Sequence, residues 1–195
     1  VNYITLAHSK SNHISDSSYD ENKRWPDGLS PFGFKVVEEM NKQGVMIDIS
    51  HVSDAAFMKV LELSRAPVVA THSSLRHFTP GWERNVSDEM LIALAENGGV
   101  IQLCFGSDFV ANRKDNPDLE VSVKNVVDHI DRVRDLVGID HVGFGSDFDG
   151  EVPLPDDIND VSKFPNLIEE LLIRGYSERE IDKILNGNIL RVWKE

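Results

Sequence analysis

The chain has 195 residues, 41% of them hydrophobic and 27% charged, which is ordinary for a globular protein and enough for one sizeable core. A net charge of −13 with scattered Lys and Arg repels phosphate backbones and argues against a nucleic-acid partner. The single cysteine, Cys104, excludes an internal disulfide framework and a multi-cysteine zinc cage, so metal chemistry would fall to His and carboxylates.

No apolar run approaches the roughly 20 residues that cross a bilayer, and no charged-then-apolar leader opens the chain at Val1. The expectation is a soluble protein without a transmembrane segment, cytoplasmic or periplasmic, with the compartment left open.

In chain order, short apolar runs bounded by Gly, Pro or polar clusters predict strands at Tyr3–Ala7, Val45–Ser50, Pro67–Thr71, Gly99–Phe105 and His141–Ser146. Helical spacing of apolar residues predicts helices over Pro31–Lys42, Asp54–Ser64, Ser87–Glu96 and Val121–Val137. Ser87 is a good N-cap. Two more helices are expected over Val161–Arg174 and Ser177–Leu185, the second opened by a capping box of Ser177 and Glu180. The segment Ser9–Leu29 is polar and without period, a length of loop that is usually functional or disordered. Strands alternating with helices imply an α/β fold with a parallel sheet, either open and doubly wound or a barrel. A full (β/α)8 barrel needs about 250 residues, so five units are either a small open sheet or part of a barrel.

His8, His51 and His72 end the first three predicted strands, and Asp147 ends the fifth. Side chains just past the carboxyl ends of parallel strands line ligand sites. Alternation groups Ile4, Leu6 and His8, then Ile47, Ile49 and His51, then Val68, Ala70 and His72, each set apolar until its last member. His51 and His72, on strands about 4.8 Å apart, are therefore the expected metal ligands. Asp48 falls on the opposite face, toward the helices, where a buried pairing or supporting role is expected. His129 and Asp131 spell His-x-Asp, but on a helix such residues point about 200° apart, so a solvated helix surface is expected. His13, His77 and His141 are read as surface residues. Arg84, after a turn-rich stretch, would share the rim with the histidines and could grip a carboxylate in two-pronged fashion; a surface arginine is the other reading.

Several stretches together carry a resemblance: Gly44-Val-Met-Ile-Asp-Ile-Ser-His51, Ala66-Pro-Val-Val-Ala-Thr-His72-Ser-Ser, Arg84-Asn-Val and Val142-Gly-Phe-Gly-Ser-Asp147-Phe-Asp-Gly150. With the opening Tyr3-Ile-Thr-Leu-Ala-His8-Ser, Leu29-Ser-Pro-Phe-Gly33 and the closing Gly187-Asn-Ile-Leu-Arg-Val192, the chain resembles the renal (membrane) dipeptidase family of the metal-dependent amidohydrolase superfamily. The resemblance implies a (β/α)8 TIM barrel of which residues 1–195 are the C-terminal part, supplying about five βα units, with the N-terminal strands outside this chain. It also implies zinc-dependent hydrolysis of a dipeptide by a metal-bound hydroxide, with two zincs per complete site. His51 and His72 would be ligands of one zinc, Asp147 would handle the proton of the attacking water, His8 would steady the oxyanion, and Arg84 would bind the substrate carboxylate. A substrate-lining tyrosine of the family falls near Phe109, and Gln102-Leu-Cys104-Phe stands where relatives carry Asn-Phe. The family's His-x-Asp and its bridging glutamate have no counterpart in this sequence. Dimers are frequent among relatives, so a homodimer is a candidate assembly. Two other readings remain: an incomplete, non-catalytic fragment, and a related amidohydrolase acting on another amide or a lactone. Two histidines would accept cobalt or manganese as well as zinc.

Overall fold

The computed structural model describes residues 1–195. Five parallel strands form one sheet: β1 (Tyr3–Thr5), β2 (Met46–Asp48), β3 (Val69–Ser73), β4 (Val100–Cys104) and β5 (Val142–Ser146). Their order in space is their order in sequence, β1-β2-β3-β4-β5. That is the singly wound succession of a barrel segment; a doubly wound sheet would reverse direction at a switch point.

The connections are helical: α1 (Pro31–Gln43), α2 (Asp54–Leu63), α3 (Asp88–Glu96), the short α4 (Ser107–Val110) and α5 (Val123–Val137). Three of them start on a serine whose hydroxyl accepts an otherwise orphaned backbone N–H: Ser30 from Gly33, Ser53 from Ala56 and Ser87 from Met90. After β5 come α6 (Phe164–Ile173), α7 (Glu178–Asp182) behind the Ser177–Glu180 capping box, and α8 (Asn188–Lys194), joined to α7 by a wide turn over Lys183–Gly187. The stretch expected to begin α6 at Val161 is a separate tight turn capped by Asp160.

Leu6, Ile47, Ile49, Val68, Ala70, Ile101 and Leu103 form one continuous core with Val37, Met40, Ala56, Phe57, Val60, Leu91 and Leu94 of the helices. The face of the sheet opposite these residues is therefore the one that carries Thr5, Asp48 and Thr71. β1 and β2 each end two residues earlier than alternation predicts, at Thr5 and Asp48, whereas β3 runs two residues further, to Ser73, and β5 ends as expected at Ser146.

The segment between β1 and α1 is ordered, although it has no periodicity to announce it. Buried Asp16 takes backbone N–H bonds from Arg24 (3.0 Å) and Trp25 (2.9 Å), closing the loop on itself. Gly28 lies against the first turn of α2 with φ +70°, and a Cβ there would meet the Ala56 nitrogen at 2.2 Å.

His129 corrects the sequence reading. It is 0% exposed, not on a solvated helix surface. Its Nδ1 accepts the Leu75 N–H (3.0 Å), so its Nε2 carries the proton and faces the Val110 carbonyl (3.2 Å). One side chain of α5 thus ties the loop after β3 to α4, which explains why a His sits on an apolar face. His141 is also half-buried, with Nδ1 2.8 Å from the Gly99 carbonyl. Burial pushes the His129 pKa down to about 3, below its unfolded value near 6.5. The unfolded chain then binds a proton the folded chain refuses, so stability is complete above pH 6.5 and falls as pH drops toward 3. The stability advantage of the native chain over His129→Gln should shrink by about 2 kcal/mol between pH 7 and pH 5. Urea midpoints of both proteins at the two pH values measure this, and a pH-independent difference would contradict it.

Candidate metal and substrate site

His72 lies within β3, His8 and His51 three residues beyond β1 and β2, and Asp147 directly after β5. The first three strands thus bring their imidazoles to one end of the sheet. The His51 ring centroid is 4.3 Å from that of His8 and 4.8 Å from that of His72. Simple alternation does not achieve this, because Ile47 and Ile49 face the helices. His51 reverses the chain with φ 68°, and the β3–β4 pairing shifts register between Ala70 and Ser73, around His72. Ser146 and Asp147 have φ 48° and 67°. Left-handed backbone at non-glycine residues is uncommon and collects at functional sites.

Asp48 has the buried, paired role expected of it, but on the other face of the sheet. It sits on the site side of the sheet, 0% exposed, and is fully partnered. One oxygen accepts the Ser50 (2.9 Å) and Thr71 (3.0 Å) backbone N–H groups. The other accepts the hydroxyls of Thr5 (2.6 Å) and Thr71 (2.7 Å). Because the Thr71 hydroxyl spends its only proton on Asp48, toward His72 Nδ1 (2.8 Å) it can only accept. His72 therefore carries its proton on Nδ1 and presents a lone pair at Nε2.

That Nε2 faces His51 Nε2 across 2.7 Å. Burial, then the positive field of Arg84, then the neighbouring imidazoles push the His51 pKa down to about 2. Burial and Arg84 lower that of His72 as well, against the opposing pull of Asp48 and Asp147. Both rings are neutral at physiological pH, the form in which imidazole binds metals. His51 Nδ1 is buried without a partner.

Arg84 is 3% exposed, far from a surface residue. It donates to Ser73 Oγ (2.8 Å) and to the His72 carbonyl (2.6 Å), and its charge lies 5.1 Å from the Phe109 ring centre. Trp82 packs on Phe109, with ring centroids 4.7 Å apart. Arg84 Nε has no partner. The Asp147 carboxylate acts electrostatically on His72 and Arg84 and lies 3.6 Å from Cys104 Sγ. Burial raises the Cys104 pKa to about 12, so it remains a thiol able to donate weakly to that carboxylate. Gly150 folds back so closely that a Cβ would meet Asp147 Oδ1 at 2.5 Å.

The structure thus gathers His8, His51, His72, Arg84, Phe109 and Asp147 at one end of the sheet. It adds three residues that sequence reasoning passed over. Thr71 orients His72, and Cys104 touches Asp147. Tyr19, from the loop before α1, lies with its ring 6.0 Å from His51. Thr71 carries a weak signal, a polar residue before the strand-end His; Tyr19 carries none.

As a metal site, the donor chemistry fits: two neutral imidazoles direct their Nε2 atoms at each other, one of them fixed by a hydrogen-bonded support. The set is partial, since no cluster of three or more His, Cys, Asp or Glu that could hold an ion is formed, and zinc usually takes four donors.

Over residues 1–195 the chain matches the family described as "Membrane dipeptidase (Peptidase family M19)". It is 42% identical over 195 residues to "Dipeptidase tcpJ" of Claviceps purpurea (strain 20.1), covering 100% of this chain and 44% of that protein. It is 38% identical over 198 residues to "Dipeptidase 3" of Mus musculus, covering 100% of this chain and 39% of that protein. Its fold is similar to that of a metallo peptidase from Rhodobacter sphaeroides liganded with a phosphinate mimic of the dipeptide L-Ala-D-Ala, with TM-score 0.89 and 31% identity, over 100% of this chain and 55% of that one. The chain therefore spans less than half the length of these two curated relatives.

The Asp48–Thr71–His72 relay makes a specific prediction. In Asp48→Asn the amide oxygen must keep the two backbone N–H bonds, so the amide NH2 faces the threonine hydroxyls. Thr71 would then accept from Asn and donate to His72 Nδ1, moving the imidazole proton to Nε2. Zinc or cobalt affinity, measured by chelator competition, should fall about 10- to 100-fold. Unaltered affinity in a folded variant would show that the relay does not set the tautomer.

Proposed function

Since the chain belongs to the membrane dipeptidase family, peptidase family M19, we propose that it carries the proton-transfer and carboxylate-binding half of a metal-dependent dipeptidase. The observation that carries this reading is the meeting of two neutral imidazoles with a buried, incompletely partnered arginine and a strand-end carboxylate.

His51 and His72 would hold a zinc ion. When bound, such an ion polarises a carbonyl and lowers the pKa of water to roughly 7. The remaining roles belong to side chains of this chain. Arg84 pairs with the free carboxylate of the substrate, using the N–H groups that Ser73 and His72 leave open. Its fixed position limits the substrate to short peptides, since the scissile bond must reach the imidazoles from a carboxylate anchored there. His8, beside His51, donates to the carbonyl oxygen as negative charge develops. Asp147 takes a proton from the attacking water and returns it to the leaving amine. Phe109 lines the pocket and supports the guanidinium through its ring face.

The chain would supply five of the eight units of a (β/α)8 barrel, residues 1–195 being its C-terminal part. Sequential strand order, a β1 edge with Tyr3 and Ile4 exposed, and the share of each relative covered support this. A second reading, a non-catalytic segment, draws on the presence of only two converging donors. Metal content with intact mass separates them: about two zincs per active molecule fit the dipeptidase, and none fits the inert segment.

Arg84→Ala should raise KM for dipeptides by about 100-fold or more, as expected for losing a charge-assisted anchor, with a smaller effect on kcat. An unchanged KM would remove the peptide assignment. Asp147→Asn should instead lower kcat by about 10²- to 10⁴-fold with KM little altered. Steady-state kinetics on a dipeptide series reads both.

A further inference from the structure

Two consecutive residues hold Phe109, one by its ring and one by its backbone. The Arg84 guanidinium lies 5.1 Å from the ring centre, and the Asn85 side-chain amide donates to the Phe109 carbonyl (2.8 Å). Asn85 is 0% exposed and plays no part in the chemistry above. Its Oδ1 accepts the Ser74 N–H (3.1 Å), which fixes the amide with Nδ2 toward Phe109 and the Thr79 hydroxyl (2.7 Å). His129 makes the same kind of bridge one residue further along both loops, from the Leu75 N–H to the Val110 carbonyl. Two buried side chains thus form successive rungs, with Ser74 and Leu75 on one loop and Phe109 and Val110 on the other.

The rungs begin where direct pairing of the strands stops. The β3–β4 register ends at Ser73 and Leu103, and both chains then pass into loops. Phe109 sits on α4, a helix of four residues whose start has no side-chain cap. A helix that short is not stable on its own, and its last carbonyls have no partner within it. The Phe109 and Val110 carbonyls find theirs in Asn85 and His129. Removing the Asn85 donor would leave a buried carbonyl bare. It would also free α4 to shift, and with it the ring that faces Arg84.

We infer that Asn85 is a positioning residue of the site: by holding the Phe109 carbonyl it fixes the aromatic wall against Arg84, with His129 as the second rung. This rests on the dipeptidase reading of the site. Asn85 touches neither substrate nor metal in that reading, and its effect passes through Phe109. Arg84 and Phe109 meet the substrate away from the bond that breaks, so the effect falls on KM and leaves kcat alone.

Asn85→Asp keeps the size of the side chain and an acceptor for the Ser74 N–H, but its carboxylate has no donor for the Phe109 carbonyl. Steady-state kinetics on a dipeptide, with native, Asn85→Asp, Phe109→Leu and doubly substituted chains, close a mutant cycle. Asn85→Asp should raise KM about 10-fold with kcat within about twofold. In the Phe109→Leu background it should add less than about twofold, because the ring it positions is gone. His129→Asn keeps an acceptor for Leu75 and loses reach to Val110; it should raise KM about threefold and decides the matter if Asn85→Asp does not fold. An unchanged KM in the folded variant, an equal loss in both backgrounds, or a loss confined to kcat overturns the proposal. Calorimetric titration of a phosphinate dipeptide analogue reads the same factors as changes in Kd, without turnover. If Kd follows the cycle while no dipeptide is hydrolysed, the hydrolase reading alone fails and Asn85 keeps its role. No binding by the native chain overturns that role as well.

Discussion

The carboxylate of Asp48 has four hydrogen-bond donors around it and no access to water. An unpaired carboxylate in that position would be very costly, so β1, β2 and β3 must sit where Thr5, Ser50 and Thr71 can each reach it. That requirement locks the relative placement of the three strands that deliver His8, His51 and His72. It also ends β2 early, because the Ser50 N–H goes to the carboxylate and not to a neighbouring strand. From that point the chain turns, and the turn presents His51.

Electrostatically the site combines opposites. Burial and Arg84 keep two imidazoles neutral, while the guanidinium itself lies buried against the Phe109 ring. Because Arg84 is nearly sealed from solvent, its field is weakly screened and lowers the affinity of both neighbouring imidazoles for protons.

Much of this was legible in the sequence, for identifiable reasons. Parallel strands and capped helices follow from short apolar runs and from Ser30, Ser53, Ser87 and Ser177, which are local signals. The gathering of His51, His72 and Asp147 at strand ends follows from the general placement of ligand sites in α/β folds. What alternation could not supply was the facing. It assigned Asp48 to the helix side and His51 to the site side, whereas Ile47 and Ile49 pack on the helices and a left-handed residue brings His51 across. Period-two reasoning holds inside a strand and stops at its last residue. His129 looked like a solvated helical residue because its partners, Leu75 and Val110, lie 54 and 19 positions away in the sequence. Tyr19 was invisible because its position depends on backbone bonds within an aperiodic loop.

The left-handed conformations of His51 and Asp147 bear on how such a protein can change. Glycine or asparagine would relax the backbone at either position, gaining up to about 1 kcal/mol where the local strain is released. A laboratory search for heat-resistant variants would therefore be drawn to two residues of the candidate site, and under the function proposed above its most robust survivors would be inert. On that reading thermal endurance and turnover pull in opposite directions at these two positions, and a screen for heat resistance alone would not retain them as His and Asp.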